Sequence, residues 1–323
     1  MKLGIIAPSS VVPQIELAHG LTRLAGAGFD IELHPQCAEQ HFTFAGTDES
    51  RCNALWTFAN DPSIDVVWCA RGGYGAQRLL PLLDKLTQQH GRPSEKLLVG
   101  YSDITVLHEY VRTRWNWSTL HAAMPAASNY REIPATEFDS TVAFVRRQRA
   151  TPPWATATLR WLTDPRAHDL RAPIIGGNLA LWTCLAGTPY LPDARGRILF
   201  FEDLGEHYYR IDRMMVQLEQ SRMLDGVAAI VLGDFLNCTD DPGDVLANAE
   251  GTARKPLRPT FDEAAAFEHI FAALGKRRGL PIAAGMPVGH GPHFAPLPLG
   301  ATYKLGRDRS IQLDEWDWLS SVK

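Results

Sequence analysis

The chain opens with short apolar runs separated by stretches of helical period. "LGIIA" (3–7) reads as a strand, Pro13 to Leu24 as an amphipathic helix and "FDIELH" (29–34) as a second strand. Glu49 to Phe58 follows as a helix, "IDVVWCA" (64–70) as a strand, "AQRLLPLLDKL" (76–86) as a helix interrupted near Pro81, and "KLLVG" (96–100) as a strand. Strands that alternate with helices predict a parallel sheet, because parallel neighbours need a crossover between them. Ligands of such sheets collect at the carboxyl ends of the strands.

The pattern then changes. "TEFDSTVAFVRRQR" (136–149) predicts one more helix, and "ATPPWATATLRWLTDPRAHDLRAP" (150–173) is rich in proline, threonine and alanine without a sustained period. Beyond it, "IIGGNLALWTCLAGTPY" (174–190) reads as a turn and a buried helix, "RILFFED" (197–203) as a strand, "YRIDRMMVQLEQSRML" (209–224) as an amphipathic helix and "VAAIVLGDF" (227–235) as a buried strand. The expected architecture is α/β: an N-terminal parallel-sheet domain (1–150), a linker (151–172) and a C-terminal α/β domain (173–323), with the active site in the cleft between them. The polar stretch 237–260 is expected to be a surface excursion; its acidic residues lack the spacing of an EF-hand.

Composition narrows the partners. At 323 residues, 45% of them hydrophobic, the chain can fill two cores. A formal charge of −4 leaves no basic field for nucleic acid or an anionic membrane, so a small molecule is the expected partner. The apolar run in "MKLGIIAPSS" is too short for a signal peptide and no window approaches a membrane span, which leads us to expect a cytoplasmic protein. Five scattered cysteines suit free structural thiols in a reducing compartment better than disulfides or a zinc site.

One serine stands where chemistry could occur. Ser102 follows "KLLVG" and precedes a helical pattern with Ile104, Leu107 and Val111 on one face. A residue on a sharp strand-to-helix turn projects away from the sheet, with helix amides behind it, as a nucleophile requires. The competing reading is a helix N-cap, and the "G-x-S-x-G" elbow is incomplete because Ile104 stands in place of the second glycine. A second turn, "RGGYG" (71–75), supplies Gly72, Gly73 and Gly75 at another strand end, suited to bind phosphate or an oxyanion through backbone amides. No Gly-Lys-Ser/Thr follows, which disfavours a P-loop.

A serine nucleophile needs a base and an orienting carboxylate. Of eleven histidines, His290 and His293 share the glycine- and proline-rich turn "GMPVGHGPHFAPLPLG" (285–300), where backbone holds the ring. His121 either lines the cleft or is simply buried, and His108 is expected to point away from the elbow. For the carboxylate, "FED" ends a strand with Glu202 and Asp203, which alternation sends in opposite directions, and Glu206 lies beyond. The pattern alone favours none of them.

The blocks "RGGYG", "GYSDIT", "GGNLALWTCLAGTPY", "FEDLGEHYYRIDRM" and "GMPVGHGPHFAPLPLG", in this order, resemble the LD-carboxypeptidase family of serine peptidases. The resemblance implies a Ser-Glu-His triad of Ser102, Glu202 and His290, no cofactor or metal, and a homodimer. It further implies release of terminal D-alanine from peptidoglycan tetrapeptides through an acyl-enzyme. Under that reading the backbone amides of Asp103 and Gly73, with Gly72 as the alternative, form the oxyanion hole. Arg71, Tyr74, Asn178 and Arg210 are candidate substrate contacts. A side branch of the family, which hydrolyses microcin-type peptide-nucleotide carboxamides, is the alternative activity. A non-catalytic two-lobed peptide-binding protein is the alternative of another class.

Overall fold

Alternate residues of the apolar runs enter different cores, which is why the runs show no polar face. In the computed structural model, which describes residues 1–128, 130–164, 166, 168–238, 263–291 and 293–320, the first sheet holds β1 (Lys2–Ile6), β2 (Asp30–Leu33), β3 (Val66–Cys69), β4 (Leu97–Gly100) and β5 (Ser118–His121). These five run parallel in the order β2-β1-β3-β4-β5. Helices α1 (Gln14–Gly26), α2 (Asp48–Asn60), α3 (Leu80–His90) and α4 (Thr105–Tyr110) make the crossovers. Pro81 falls in the first turn of α3, where a missing N–H costs nothing, and a 3₁₀ turn over Ala76–Leu79 precedes it.

After α5 (Ala135–Val145), the second sheet contains β6 (Arg160–Thr163), β7 (Leu170–Asn178), β8 (Ile198–Leu204), β9 (Ala229–Leu236) and β10 (Ile282–Ala284). Helices α6 (Leu179–Thr183), α7 (Tyr208–Gln220) and α8 (Glu263–Arg278) fall between strands of this half. Strands β7 to β10 are parallel, and β6 closes one edge antiparallel to β10. Of the last strands, β11 (Leu297–Leu299) crosses over to pair antiparallel with β5, while β12 (Thr302–Leu305) and β13 (Ile311–Glu315) extend the second sheet beside β7.

Two expectations are corrected here. The segment 151–172 is no bare linker: it holds β6 and the start of β7, because "RWLT" is a partly exposed edge strand too short to betray a period. "IIGGN" is not a turn but the end of β7, since the glycines stay in the ladder beside Phe200 and Phe201 and the helix begins only at Leu179. The polar stretch expected as a surface excursion lies, from residue 239 onward, outside the described residues.

The cores explain the alternation. Val66, Trp68, Leu97 and Val99 of the first sheet share one buried cluster with Ile174, Ile198, Phe200 and Val231 of the second. Val67, Cys69 and Leu98 face the opposite way, toward α2, α3 and α4, and Ile175, Leu199, Phe201 and Ile230 face α7 and α8. Both faces of both sheets are therefore covered, as parallel sheets require. The sheets are also tied behind the serine: the Asn178 amide donates to Thr105 Oγ1 at 3.0 Å and the Gly176 amide to Glu109 Oε1 at 3.3 Å.

Candidate active site

Strand β4 ends at Gly100, Tyr101 continues extended (φ −154°) and Ser102 then adopts φ +62°. Left-handed backbone costs a side-chain-bearing residue about 1–3 kcal/mol and persists only where its surroundings impose it. The Ser102 Oγ makes no hydrogen bond among the described residues, so it does not cap the helix that follows. The missing second glycine has a physical reason. Ile104 is buried against Gly100, where an added Cβ would stand 2.9 Å from Ile104 Cγ1, so one glycine and one isoleucine build the turn that two glycines would otherwise make.

The neighbouring loops are pinned to this elbow by a carboxylate. Asp103 is buried, and its Oδ2 accepts from Ser9 Oγ at 2.6 Å and from the Ala76 amide at 2.8 Å. Burial raises the pKa of Asp103 above its ordinary value, and these hydrogen bonds oppose the shift. The segments after β1, β3 and β4 thus meet at one side chain. Sequence reasoning singled out the Asp103 amide and missed this role of its carboxylate, because Ser9 and Ala76 are remote in the chain. Arg51, buried in α2, adds a donor to the Gly75 carbonyl at 3.0 Å and pairs with Asp48. From below, His108 Nε2 donates to the Gly100 carbonyl at 2.9 Å. His108 was expected to point away; it is instead a buried support of the strand end, kept neutral by burial that lowers its pKa to about 3.

The candidate acid and base come from the second half of the chain. Ile198 and Phe200 point into the core shared by the sheets, so period-2 alternation aims Glu202 the same way. Glu202 is fully buried, and its Oε2 lies 2.6 Å from His290 Nδ1. Burial alone would raise the Glu202 pKa, but the facing imidazole more than offsets this and holds it below the ordinary value. Burial is the largest influence on His290 and pulls it down, but the charge and hydrogen bond of Glu202, joined by the charges of Asp203 and Asp234, together outweigh it, so His290 titrates above an ordinary histidine. Asp203 turns to the other side, where it accepts from Asn178 Nδ2 at 2.9 Å and the Ala180 amide at 3.0 Å. Gly289 (φ +141°) brings the histidine loop against the acid: a Cβ there would lie 3.0 Å from both Glu202 Cβ and Oε2.

A cavity of about 510 Å³ joins these parts. Its walls include Ser102, His290, Arg71, Gly72, Gly73 and Glu16. The glycine turn lies close to the serine, since a Cβ on Gly72 would stand 3.4 Å from Ser102 Oγ. Neither the Gly72 nor the Gly73 amide donates to an acceptor among the described residues. Ser102 and His290 share the cavity without a hydrogen bond between them, a separation common in ligand-free sites. With Nδ1 facing Glu202, His290 Nε2 is the nitrogen left to accept a proton.

The other predicted residues divide. Arg71 lines the cavity, and its Nη1 donates to the Val11 carbonyl at 2.8 Å. Tyr74 is exposed and packs on Phe44, with ring centroids 5.6 Å apart, outside the cavity wall. Asn178 is a buried cap of α6, accepting from the Leu181 amide at 3.1 Å and donating to Asp203, and it is not among the residues of the cavity wall. Arg210 is exposed beside Glu206 and Tyr209, also away from the wall. His293 pairs with Glu137 at 3.1 Å, not with Glu202. His121 is buried edge-on to Tyr101 and Phe200, with its pKa lowered by burial to about 4. All five cysteines are unpaired. None of the described helices is long and apolar enough to cross a membrane.

A putative carboxypeptidase of Streptomyces coelicolor is 39% identical over 87% of this chain and 89% of its own length. The murein tetrapeptide carboxypeptidase of Pseudomonas aeruginosa is 29% identical over 95% of this chain and 94% of its own. Among solved structures, the muramoyltetrapeptide carboxypeptidase from Oxalobacter formigenes superposes with a TM-score of 0.72 at 28% identity, covering 96% of this chain and 97% of that one. A structure of MccF in complex with glutamyl sulfamoyl guanosine shares the fold, with a TM-score of 0.74 at 19% identity over 98% of this chain and 96% of that one. Residues 3–122 match the LD-carboxypeptidase N-terminal domain and residues 171–305 the LD-carboxypeptidase C-terminal domain, and the chain therefore belongs to the LD-carboxypeptidase family.

Proposed function

We propose that this protein is a cytoplasmic serine carboxypeptidase that releases the terminal D-alanine of murein tetrapeptides by cleaving an L,D-peptide bond. The observation that carries the reading is the 2.6 Å contact between His290 and the buried Glu202, opening onto the cavity that also holds Ser102 at its left-handed turn. Two relatives named for murein or muramoyl tetrapeptides support the substrate class.

His290 Nε2 takes the proton of Ser102 as Oγ attacks the carbonyl of the penultimate residue. Glu202 holds the imidazole in the tautomer that leaves Nε2 free and stabilises the imidazolium. The oxyanion is met by the Asp103 amide and one from the glycine turn, Gly73 by our assignment. Each such donor is worth roughly 10²–10³ in rate. The imidazolium then protonates the departing amine, D-alanine leaves, and water activated by His290 hydrolyses the acyl-enzyme. The steps need only these groups of the chain and one water molecule.

The test offers the protein L-Ala-γ-D-Glu-meso-diaminopimelyl-D-Ala and, in parallel, an aspartyl-adenylate carboxamide. Free D-alanine is the expected product. Preference for the carboxamide would move the protein to the microcin-type branch, and turnover of neither would favour the peptide-binding alternative.

A further inference from the structure

The cavity wall carries two charges that the triad does not use. Arg71 follows β3 directly, and Glu16 stands in the first turn of α1. Both are half-buried. The Arg71 guanidinium is steadied by the Val11 carbonyl, yet among the described residues it pairs with no carboxylate. The Glu16 carboxylate has neither an ion pair nor a hydrogen bond among the described residues. The two face one cavity without neutralising each other, whereas elsewhere half-buried charges such as Asp164 and Arg166 are paired. Partly desolvated, uncompensated charges of opposite sign define a site complementary to a ligand that carries both signs.

The place of Arg71 beside the glycine turn gives the ligand a direction. Arg71 adjoins the Gly72-Gly73 turn, where the scissile carbonyl must lie for its oxygen to reach the amides. The free carboxylate of a leaving C-terminal residue is one residue, about 3.8 Å of chain, beyond that carbonyl. Arg71 is thus placed for that carboxylate. The acyl residue lies on the other side of the scissile bond, which leaves its side chain free to reach another part of the wall.

We propose that Glu16 is a specificity-determining residue that receives the side-chain ammonium of a diamino acid at the acyl position, while Arg71 holds the terminal carboxylate. This rests on the L,D-peptidase reading above and extends it to the third residue of the stem. Neither residue moves a proton or touches the reacting atoms; they select and align the substrate.

The test compares tetrapeptides with L-lysine or L-norleucine at the third position, which match in length and differ in charge. Binding is measured by calorimetry in a Ser102→Ala background with and without Glu16→Gln, and D-alanine release is measured with Ser102 intact. Glu16→Gln should weaken lysine-peptide binding about tenfold, the scale of a charge-assisted contact. It should raise KM in proportion, leave kcat near wild type and leave the norleucine peptide unaffected. Equal effects on both peptides, or on neither, would overturn the inference while D-alanine release preserved the peptidase reading. Charge-selective binding by Glu16 with no D-alanine release would overturn the peptidase reading alone. Failure of both peptides to bind would overturn both.

Discussion

The Ser9 hydroxyl donates to the Asp103 carboxylate at 2.6 Å, tying the first loop of the chain to the residue that follows Ser102. The same oxygen holds the Ala76 amide at the end of the glycine turn. Ser102 and the glycine turn are thus set relative to one another by one buried side chain.

Asp103→Ala should therefore destabilise the protein by about 1–3 kcal/mol, the cost of leaving buried donors without an acceptor. Ser9→Ala, which keeps the acceptor, should cost about 1 kcal/mol or less. Urea unfolding reads both, and kcat should fall more than KM rises in Asp103→Ala, because the oxyanion donors shift while the walls of the cavity remain.

The Glu202–His290 pair should set the pH profile. A base must be neutral, and His290 titrates above the ordinary histidine value of 6.5, so kcat/KM should rise with pH through a midpoint above it. In Glu202→Gln the carboxylate no longer offsets burial, so the midpoint should move below 6.5 while kcat falls by about 10⁴, as when the orienting acid of other triads is made neutral. Stability follows the same signs. The raised His290 stabilises most below its unfolded pKa and loses this as pH rises through its folded one. The lowered Glu202 stabilises above its unfolded pKa and loses this as pH falls through its folded one. An unchanged midpoint in Glu202→Gln would contradict the coupling.

Gly289→Ala places a Cβ 3.0 Å from Glu202 Oε2 at a φ of +141°. The loop should move His290 off its position, with activity falling about 10²-fold for a displacement near 1 Å. Circular dichroism should report an intact fold, separating a displaced base from an unfolded chain.

His293 shares the loop of His290 but is paired with Glu137, which also accepts from the Phe294 amide at 2.6 Å. His293→Ala should leave kcat near wild type and change stability by less than about 1 kcal/mol. His290→Ala should lower kcat on the order of 10⁶, the scale of losing the base of a triad.

Much of this arrangement was legible in the chain, and the parts that were not share a cause. The parallel strands and the elbow follow from local pattern: apolar runs buried on both faces, and a serine between strand and helix. Glu202 could be separated from Asp203 by alternation only once Ile198 and Phe200 were known to face the other sheet. The family resemblance had already chosen it. Asn178 reads as a ligand contact in sequence because it sits in a distinctive block, and its bonds to Asp203 and to the Leu181 amide come into view only in the structure. The Asp103 carboxylate, the pairing of β11 with β5 and the place of β6 depend on partners about 25 to 180 positions away, which no window of the sequence contains.

The central claim is that Ser102, activated by His290 and Glu202, attacks the carbonyl of an L-residue that precedes a terminal D-alanine. Its most direct measurement is D-alanine release from the murein tetrapeptide by wild type and by Ser102→Ala, followed by mass spectrometry. The account predicts release by wild type and a loss on the order of 10⁶ in kcat with Ser102→Ala; no release by wild type, or undiminished release by the variant, would contradict it.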